Sequence, residues 1–519
     1  MSDAITLETC RPVEEHARQI MEWRNDPTTL LMSFHRAPKL WDAFRSEYRD
    51  DYMVADPLPC FALEHGSRVG FLRWRPVAHP EGLSGPCVDI SIMVAPEQRG
   101  RGLGARMLHA AHDELRRLGI DAVAAEIRDE NHASHRAFLA AGYRLLGAGV
   151  HVVAETGERV AVRRYVCELV SPFWRSGRVR IIAEAGSNWR MGAPARDRAM
   201  GRALIEVAAQ SGADVVKFQT YRPESVYVGN AGQADYLAEA GNTQSISEIF
   251  ADLAMPYEML IELADHARRH DIQFMSTGFS PADFRAIDPH VAIHKIASYE
   301  NGHLRLIDLA AKSGKPVAMS TGATSRSDLA WAVLRYFDQG GRDLCLLQCT
   351  AKYPADIASV NLAALGWMRR VFGVPVGLSD HSRDPVTAPL GAVIAGARCI
   401  EKHFTLHNAL PGPDHAFAVT PDELALMVGK VREAEAAIGE RAKEIRPEEH
   451  ELAHFARRGL QALRAIRKGD ILAEDDNVGI LRPGKQPLGA HPRHIEALEG
   501  AVATRDLRAG EGIRLGDWR

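Results

Sequence analysis

One hydrophobic pattern repeats between residues 180 and 404. RIIAEAG (180–186), DVVKFQT (214–220), IQFMSTG (272–278), AIHKIAS (292–298), PVAMSTG (316–322), LCLLQCT (344–350), PVGLSD (375–380) and CIEKHF (399–404) are short apolar runs, each followed by a stretch able to form a helix. Runs apolar on both faces belong in a sheet covered on both sides, and their alternation with helices makes that sheet parallel. Eight such units in about 260 residues predict a (β/α)8 barrel. A doubly wound open sheet is the alternative, although no glycine-rich dinucleotide turn follows the first run.

The pattern changes on either side. Residues 88–119, VDISIMVAPEQRGRGLGARMLHAAHDELRRLG, read as a strand, a glycine-rich turn and an amphipathic helix with Met107, Leu108, Ala111 and Leu115 on one face. From about 456 the chain reads as short strands broken by Lys-Gly-Asp and Gly-Glu-Gly turns. Polar, Pro- and Gly-containing breaks near SPFWRSGRV (171–179) and AKEIRPEEHE (442–451) divide it into domains at 1–172, 178–442 and 452–519.

Composition narrows the class. The 519 residues are 46% hydrophobic and 25% charged, as in globular domains, and a net charge of −4 gives no basic field for nucleic acid. No apolar run reaches bilayer-spanning length, and the opening MSDAITLETC lacks the features of a signal peptide. Seven scattered cysteines without CxxC spacing suit reduced thiols, so a cytoplasmic protein without membrane association is expected.

The chemistry lies where the apolar runs end. Glu184, Lys217, Gln219, Thr277, Lys295, Ser298, Ser320, Thr350, Asp380, His381, Glu401 and His403 fall at or just beyond the C-terminal ends of the predicted strands. In a barrel these ends converge on one mouth, where active sites form. Lys217 and Lys295, with Thr277, Ser298 and Ser320, make a set able to bind phosphate or carboxylate. His381 and His403, on adjacent strands of a closed barrel, suit a divalent metal with open positions, though hydrogen-bonded core histidines would give the same spacing.

Taken in order, IIAEAGSN (181–188), GADVVKFQT (212–220), FMSTGF (274–279), KIASYE (295–300), GKPVAMSTGA (314–323), QCTAKYP (348–354), GVPVGLSDH (373–381), IEKHFT (400–405) and LPGPDH (410–415) resemble the N-acetylneuraminate (sialic acid) synthase family. The resemblance implies a (β/α)8 TIM barrel that condenses phosphoenolpyruvate with an N-acylated hexosamine, giving a nine-carbon keto acid and phosphate. His381 and His403 would hold Mn²⁺, or Mg²⁺ or Co²⁺ in its place. Lys217, Thr277, Lys295, Ser298 and Ser320 would cradle phosphoenolpyruvate, and Glu184, Glu300, Tyr353 and Asp414 would contact the sugar or position water. Three positions depart from the family pattern: Trp189 replaces the usual His after Asn188, Gly278 a Pro, and Ala351 an Asn.

The tail resembles the SAF (antifreeze-like, β-clip) domain that ends these synthases. That likeness implies a homodimer with swapped tails in which Arg482 of the RPG motif reaches the partner's barrel. At the front, R-G-R-G-L-G (99–104) between VAPE and DENHASHRAFLAAGYRL (129–145) resembles the GNAT superfamily of N-acetyltransferases. Arg99, Gly100, Gly102 and Gly104 would then bind the pyrophosphate of acetyl-CoA, with Asn131 near the pantetheine; Asp89 and Tyr143 are candidate acid–base groups. Together the domains suggest diacetamido nonulosonic acids of the legionaminic or pseudaminic type. The rivals are another phosphoenolpyruvate-dependent keto-sugar acid synthase, a noncatalytic sugar-sensing scaffold and, for the front domain, a protein N-acetyltransferase.

Overall fold

Seven strands build the front sheet: β1 (Thr6–Thr9), β2 (Cys60–Glu64), β3 (Ser67–Val77), β4 (Cys87–Val94), β5 (Ala122–Arg128), β6 (Arg144–Val152) and β7 (Arg159–Glu168), in the order β1-β2-β3-β4-β5-β7-β6. Only β4 and β5 run parallel, and they pair just from Cys87–Ala122 to Asp89–Ala124 before diverging. The helix Leu103–Arg117 buries Met107, Leu108, Ala111 and Leu115 against the sheet, the face expected from their spacing.

Eight parallel strands follow: β8 (Arg180–Gly186), β9 (Val215–Thr220), β10 (Gln273–Gly278), β11 (His294–Ile296), β12 (Val317–Ser320), β13 (Leu344–Cys349), β14 (Val376–Asp380) and β15 (Cys399–His403). They close into a barrel, β15 pairing β8 and β9 pairing β10, so the open-sheet alternative is excluded. Side-chain alternation then sorts each strand. Outward residues such as Ile181, Val216 and Ile400 pack beneath the helices, whereas inward Ile182, Val215, Met275, Ile293, Ala318, Cys345, Leu347 and Cys399 fill the barrel floor. Gly377 is glycine because a Cβ there would lie 2.5 Å from the Cys399 carbonyl and 2.6 Å from Leu347.

The short turn Pro172–Trp174 is more than a spacer, because Trp174 is buried among the floor residues. Beside it, buried Asp121 at the foot of the front sheet pairs with Arg398 at 2.9 Å, and the helix Leu103–Arg117 packs on the barrel helix Ala363–Phe372. The computed structural model describes residues 5–81, 86–153, 156–170, 172–174, 178–233, 245–439 and 443–519. It falls into two compact units, Met1–Gly439 and Glu440–Arg519; the expected break at 442 lies outside the described residues. In the second unit β16 (Gly459–Ala462) and β17 (Val478–Leu481) pair antiparallel around a core that includes Leu460, Ile466, Leu472 and Leu507. Among the described residues no helix is long and apolar enough to cross a membrane.

Candidate active site

Two residues beyond the apolar floor, six of the inward columns turn polar: Ile182 gives way to Glu184, Val215 to Lys217, Met275 to Thr277, Ile293 to Lys295, Ala318 to Ser320 and Cys399 to Glu401. These side chains form one buried layer below the mouth. Lys217 Nζ lies 2.8 Å from Glu184 and 3.4 Å from Glu401, and donates to Thr277 Oγ1 at 3.3 Å. Lys295 Nζ pairs with Glu401 at 3.0 Å, and the Ser379 hydroxyl donates to the same carboxylate at 2.9 Å. Gln219 donates to Glu184 at 2.9 Å.

The charges set one another. Burial pushes the Glu401 carboxyl up, but Lys217 and Lys295 outweigh it and hold the group well below the usual carboxylate range. Glu184 moves the other way: burial raises it, with Lys217 in opposition. Burial also draws the two ammonium groups down; Glu184 and Glu401 reverse this for Lys217, while Lys295 stays below its ordinary value.

His403 ends β15 on the same inward face, and His381 follows β14 directly. The two rings stand 5.4 Å apart, edge to face. Tyr353 stacks on His381 at 4.2 Å, and Phe417 lies 5.2 Å from His403. Nδ1 of His381 is 2.9 Å from the Thr350 carbonyl, an arrangement that leaves Nε2 as its acceptor nitrogen. Nδ1 of His403 is buried without a hydrogen-bond partner, 3.8 Å from Asp414. Burial lowers His381 to about 4 and His403 well below the ordinary imidazole value, so both rings are neutral near pH 7. Two neutral imidazoles, one with an orphaned nitrogen and a carboxylate near, fit a divalent metal.

The rim carries the remaining candidates. Ser298 accepts from the Gly322 amide at 3.0 Å, and Ser320 Oγ is buried without a hydrogen-bond partner. Burial raises Glu300 to about 7, and burial with Glu184 raises Asp414 to about 7. Gly186, at φ +53°, lets this cluster close: a Cβ there would lie 2.9 Å from Asp414 Oδ2 and 3.3 Å from Glu184 Oε1. The departure at Gly278 has a local cause, since a Cβ would come 2.9 Å from the Phe284 backbone nitrogen. Trp189 is buried in the core between strands and helices.

Two strand-end groups do other work. Asp380 faces outward and pairs with buried Lys402 at 2.7 Å, and Lys402 also donates to the Ser382 and Asp384 carbonyls. Glu401 joins both lysines and is the residue most central to the layer, yet it is missing from the family-derived site set; its two-residue spacing from Cys399 was the available signal. Arg482 is exposed just beyond β17 in the second unit.

In the front domain, divergence of β4 from β5 opens a cleft of ≈ 1800 Å³ lined by Asp89, Arg99, Gly100, Gly102, Gly104 and Asn131. Gly100 and Gly102 take φ of +80° and +73°, a conformation that favours glycine. Gly104 serves packing, because a Cβ there would lie 3.1 Å from Ala137. The Arg99 guanidinium is held by Asp26 and Thr29, each at 2.7 Å, and Asn131 caps the helix His132–Ala140. Burial, then Glu126, raises Asp89 to about 7. Tyr143 does not line the cleft among the described residues; it is buried against Phe138, its hydroxyl 3.1 Å from His112 Nε2. The cleft adds an unforeseen pair, His151 Nδ1 and Glu126 Oε2 at 3.0 Å, which share no sequence motif because they meet from different strands.

A closed barrel with ionised side chains gathered at its mouth, joined to a GNAT-type cleft, defines a two-site enzyme. The family comparisons agree: residues 204–443 match the NeuB family, 17–143 the acetyltransferase (GNAT) family and 457–517 the SAF domain. The chain is 38% identical over 357 residues to the spore coat polysaccharide biosynthesis protein SpsE of Bacillus subtilis, covering 64% of this chain and 92% of the relative. Two Campylobacter jejuni proteins, a pseudaminic acid synthase and an N,N'-diacetyllegionaminic acid synthase, are each 33% identical. Their alignments cover 66% and 64% of this chain and 97% and 98% of the relatives, respectively. The chain belongs to the NeuB family and carries a GNAT domain and a SAF domain beside the barrel.

Proposed function

We propose that the barrel condenses phosphoenolpyruvate with an N-acetylated hexosamine, N-acetylmannosamine or a 2,4-diacetamido-trideoxyhexose, to give a nonulosonic acid and phosphate. The observation that carries this reading is the buried layer of Lys217, Lys295, Glu184 and Glu401 directly below the His381–His403 pair. Lys217 and Lys295 provide fixed positive charge for the phosphate and carboxylate, with Thr277, Ser298 and Ser320 as neutral donors. A divalent ion such as Mn²⁺, held by His381 and His403, would supply Lewis acidity towards the sugar aldehyde.

Bond by bond, C3 of phosphoenolpyruvate joins the aldehyde carbon, whose oxygen becomes the hydroxyl. Water adds at C2, and the resulting centre expels phosphate to leave the keto group. Asp414 and Glu300, with carboxyl groups at about 7, can each hold or release a proton at a carboxylate oxygen near neutrality. Tyr353 and Phe417 wall the site beside the histidines and exclude water there.

The front cleft, on this reading, transfers acetyl from acetyl-CoA to an amino sugar, with Asp89 the candidate base. Arg482 would act across a dimer with swapped tails. The likeness to pseudaminic and legionaminic acid synthases at equal identity supports the substrate class without choosing between them. Phosphate release from phosphoenolpyruvate, with Mn²⁺ or EDTA, across a panel of these sugars tests the proposal. Sugar-dependent, EDTA-sensitive release with the matching product mass supports it; a folded protein silent on the whole panel refutes it.

A further inference from the structure

The outer helices of the barrel bring together a further set of side chains of metal-ligand type. His266 and His270 stand four residues apart at the C-terminal end of the helix Tyr257–Arg269, so both imidazoles project from one face, with ring centroids 4.6 Å apart. Glu206, from the neighbouring helix Pro194–Gln210, faces them: its Oε1 lies 2.9 Å from His266 Nε2 and 4.0 Å from His270 Nε2. One donor atom from each residue lies within 4.8 Å of the other two. Both helix ends lead into the starts of β9 and β10, which places the cluster towards the barrel floor, away from the His381–His403 pair at the mouth.

The donor set and its spacing select a cation. A tetrahedral Zn²⁺ with bonds of about 2.0–2.1 Å holds its donors roughly 3.3 Å apart, so shifts of about an ångström or less would seat all three groups. Two histidines and one glutamate leave a fourth position for water. His266 is buried, whereas Glu206 and His270 are about 40% exposed at their side chains (42% and 39%), which gives the ion a path from solvent. Arg269 donates to His266 Nδ1 at 3.3 Å, which leaves the ring proton on Nε2 facing Glu206; zinc on Nε2 would take the other tautomer, with Nδ1 protonated and the exposed arginine displaced from it.

We propose that Glu206, His266 and His270 form a Zn²⁺ site that ties the helix Pro194–Gln210 to the helix Tyr257–Arg269. The site bridges the two helices on the outside of the barrel and takes no part in the barrel's reaction. It steadies the two helices that lead into the strands bearing Lys217 and Thr277.

The test is a calorimetric titration with Zn²⁺ alone of the full chain carrying His381→Ala and His403→Ala, which removes the mouth histidines. One equivalent is expected to bind and raise the melting midpoint. Adding His270→Ala or Glu206→Ala should abolish that equivalent. Absence of a saturable equivalent, or one indifferent to both further changes, overturns the proposal. Should the background variant fail to fold, the otherwise native chain with and without His270→Ala decides: loss of one equivalent supports the site, and unchanged stoichiometry overturns it.

Discussion

Replacing Glu401 by Gln tests whether the charge layer below the mouth is held by mutual pairing. The substitution keeps the volume and removes one negative charge from between two buried ammonium groups, at 3.0 Å from Lys295 and 3.4 Å from Lys217. Lys217 keeps Glu184 at 2.8 Å, but Lys295 has no other ion-pair partner among the described residues. Removing one partner of a buried pair costs about 3–5 kcal/mol, because the remaining charge stays desolvated. For a barrel of this size that corresponds to a fall of about 6–10 °C in the melting midpoint, at about 2 °C per kcal/mol.

Two corollaries make the mechanism specific. Burial already holds Lys295 below its ordinary value, so the penalty should shrink at alkaline pH, where the unpaired ammonium can shed its proton. A bound anion should also replace the missing carboxylate, so phosphoenolpyruvate or phosphate should raise the midpoint of Glu401→Gln more than that of the native chain. Calorimetry of the barrel transition with and without anion measures both. A drop smaller than about 2 °C, or an equal anion shift in the two proteins, would refute the reasoning.

Glu300→Gln should flatten a pH dependence. Burial raises this carboxyl from 4.5 to about 7, so the folded chain keeps a proton that the unfolded chain gives up between those values, and stability present below pH 4.5 is lost as pH rises through about 7. The shift corresponds to about 3 kcal/mol; midpoint–pH curves of native and variant chains should diverge across that window, and parallel curves contradict the assignment. Gly322→Ala places a Cβ 2.9 Å from Ser298 Oγ and 3.1 Å from Cys349 Sγ. It should cost about 1–3 kcal/mol and raise KM for phosphoenolpyruvate; an unchanged KM in phosphate-release kinetics would remove Ser298 from the substrate cradle. If tails are swapped, mixing inactive Arg482→Ala with inactive His403→Ala should restore activity, because one site of the heterodimer then combines a native barrel with a native tail. No recovery after confirmed subunit exchange argues against the swap.

Much of the barrel was legible because its signal is periodic. Each strand is apolar on both faces, and the change to polar residues at strand ends marks the mouth before any contact is known. Pairing was less legible. Glu184 and Lys217 are register partners on adjacent β8 and β9, but Glu401 comes from β15, and only closure of the ring brings it within ion-pair distance of Lys217 and Lys295. The same limit hid Glu126 and His151 in the front cleft, and the role of Trp174, whose surroundings read as a linker although its indole fills the barrel floor. Tyr143 shows the opposite case: a residue inside a recognisable motif turns its hydroxyl to His112 in the core.

The three ionisable residues in succession at the end of β15 follow from the two-residue period of a strand. Glu401 faces inward, Lys402 outward and His403 inward again, so one short segment serves two environments. Outward, Lys402 pairs with Asp380 on the adjacent strand and ties down the loop beyond it through the Ser382 and Asp384 carbonyls. Inward, Glu401 balances the lysines. With Lys217 and Lys295 set against Glu184 and Glu401, and the histidines neutral, the layer is close to electroneutral; that balance lets so many charges be buried together. If Lys217 and Lys295 take the substrate's anionic groups as proposed, the anion has to compete with carboxylates already in place, and binding it would mean loosening Glu184 or Glu401 from a lysine. Glu184, whose carboxyl burial has already raised, is the partner that can take up a proton and yield at lower cost, while Glu401, clamped by both lysines and Ser379, remains in position.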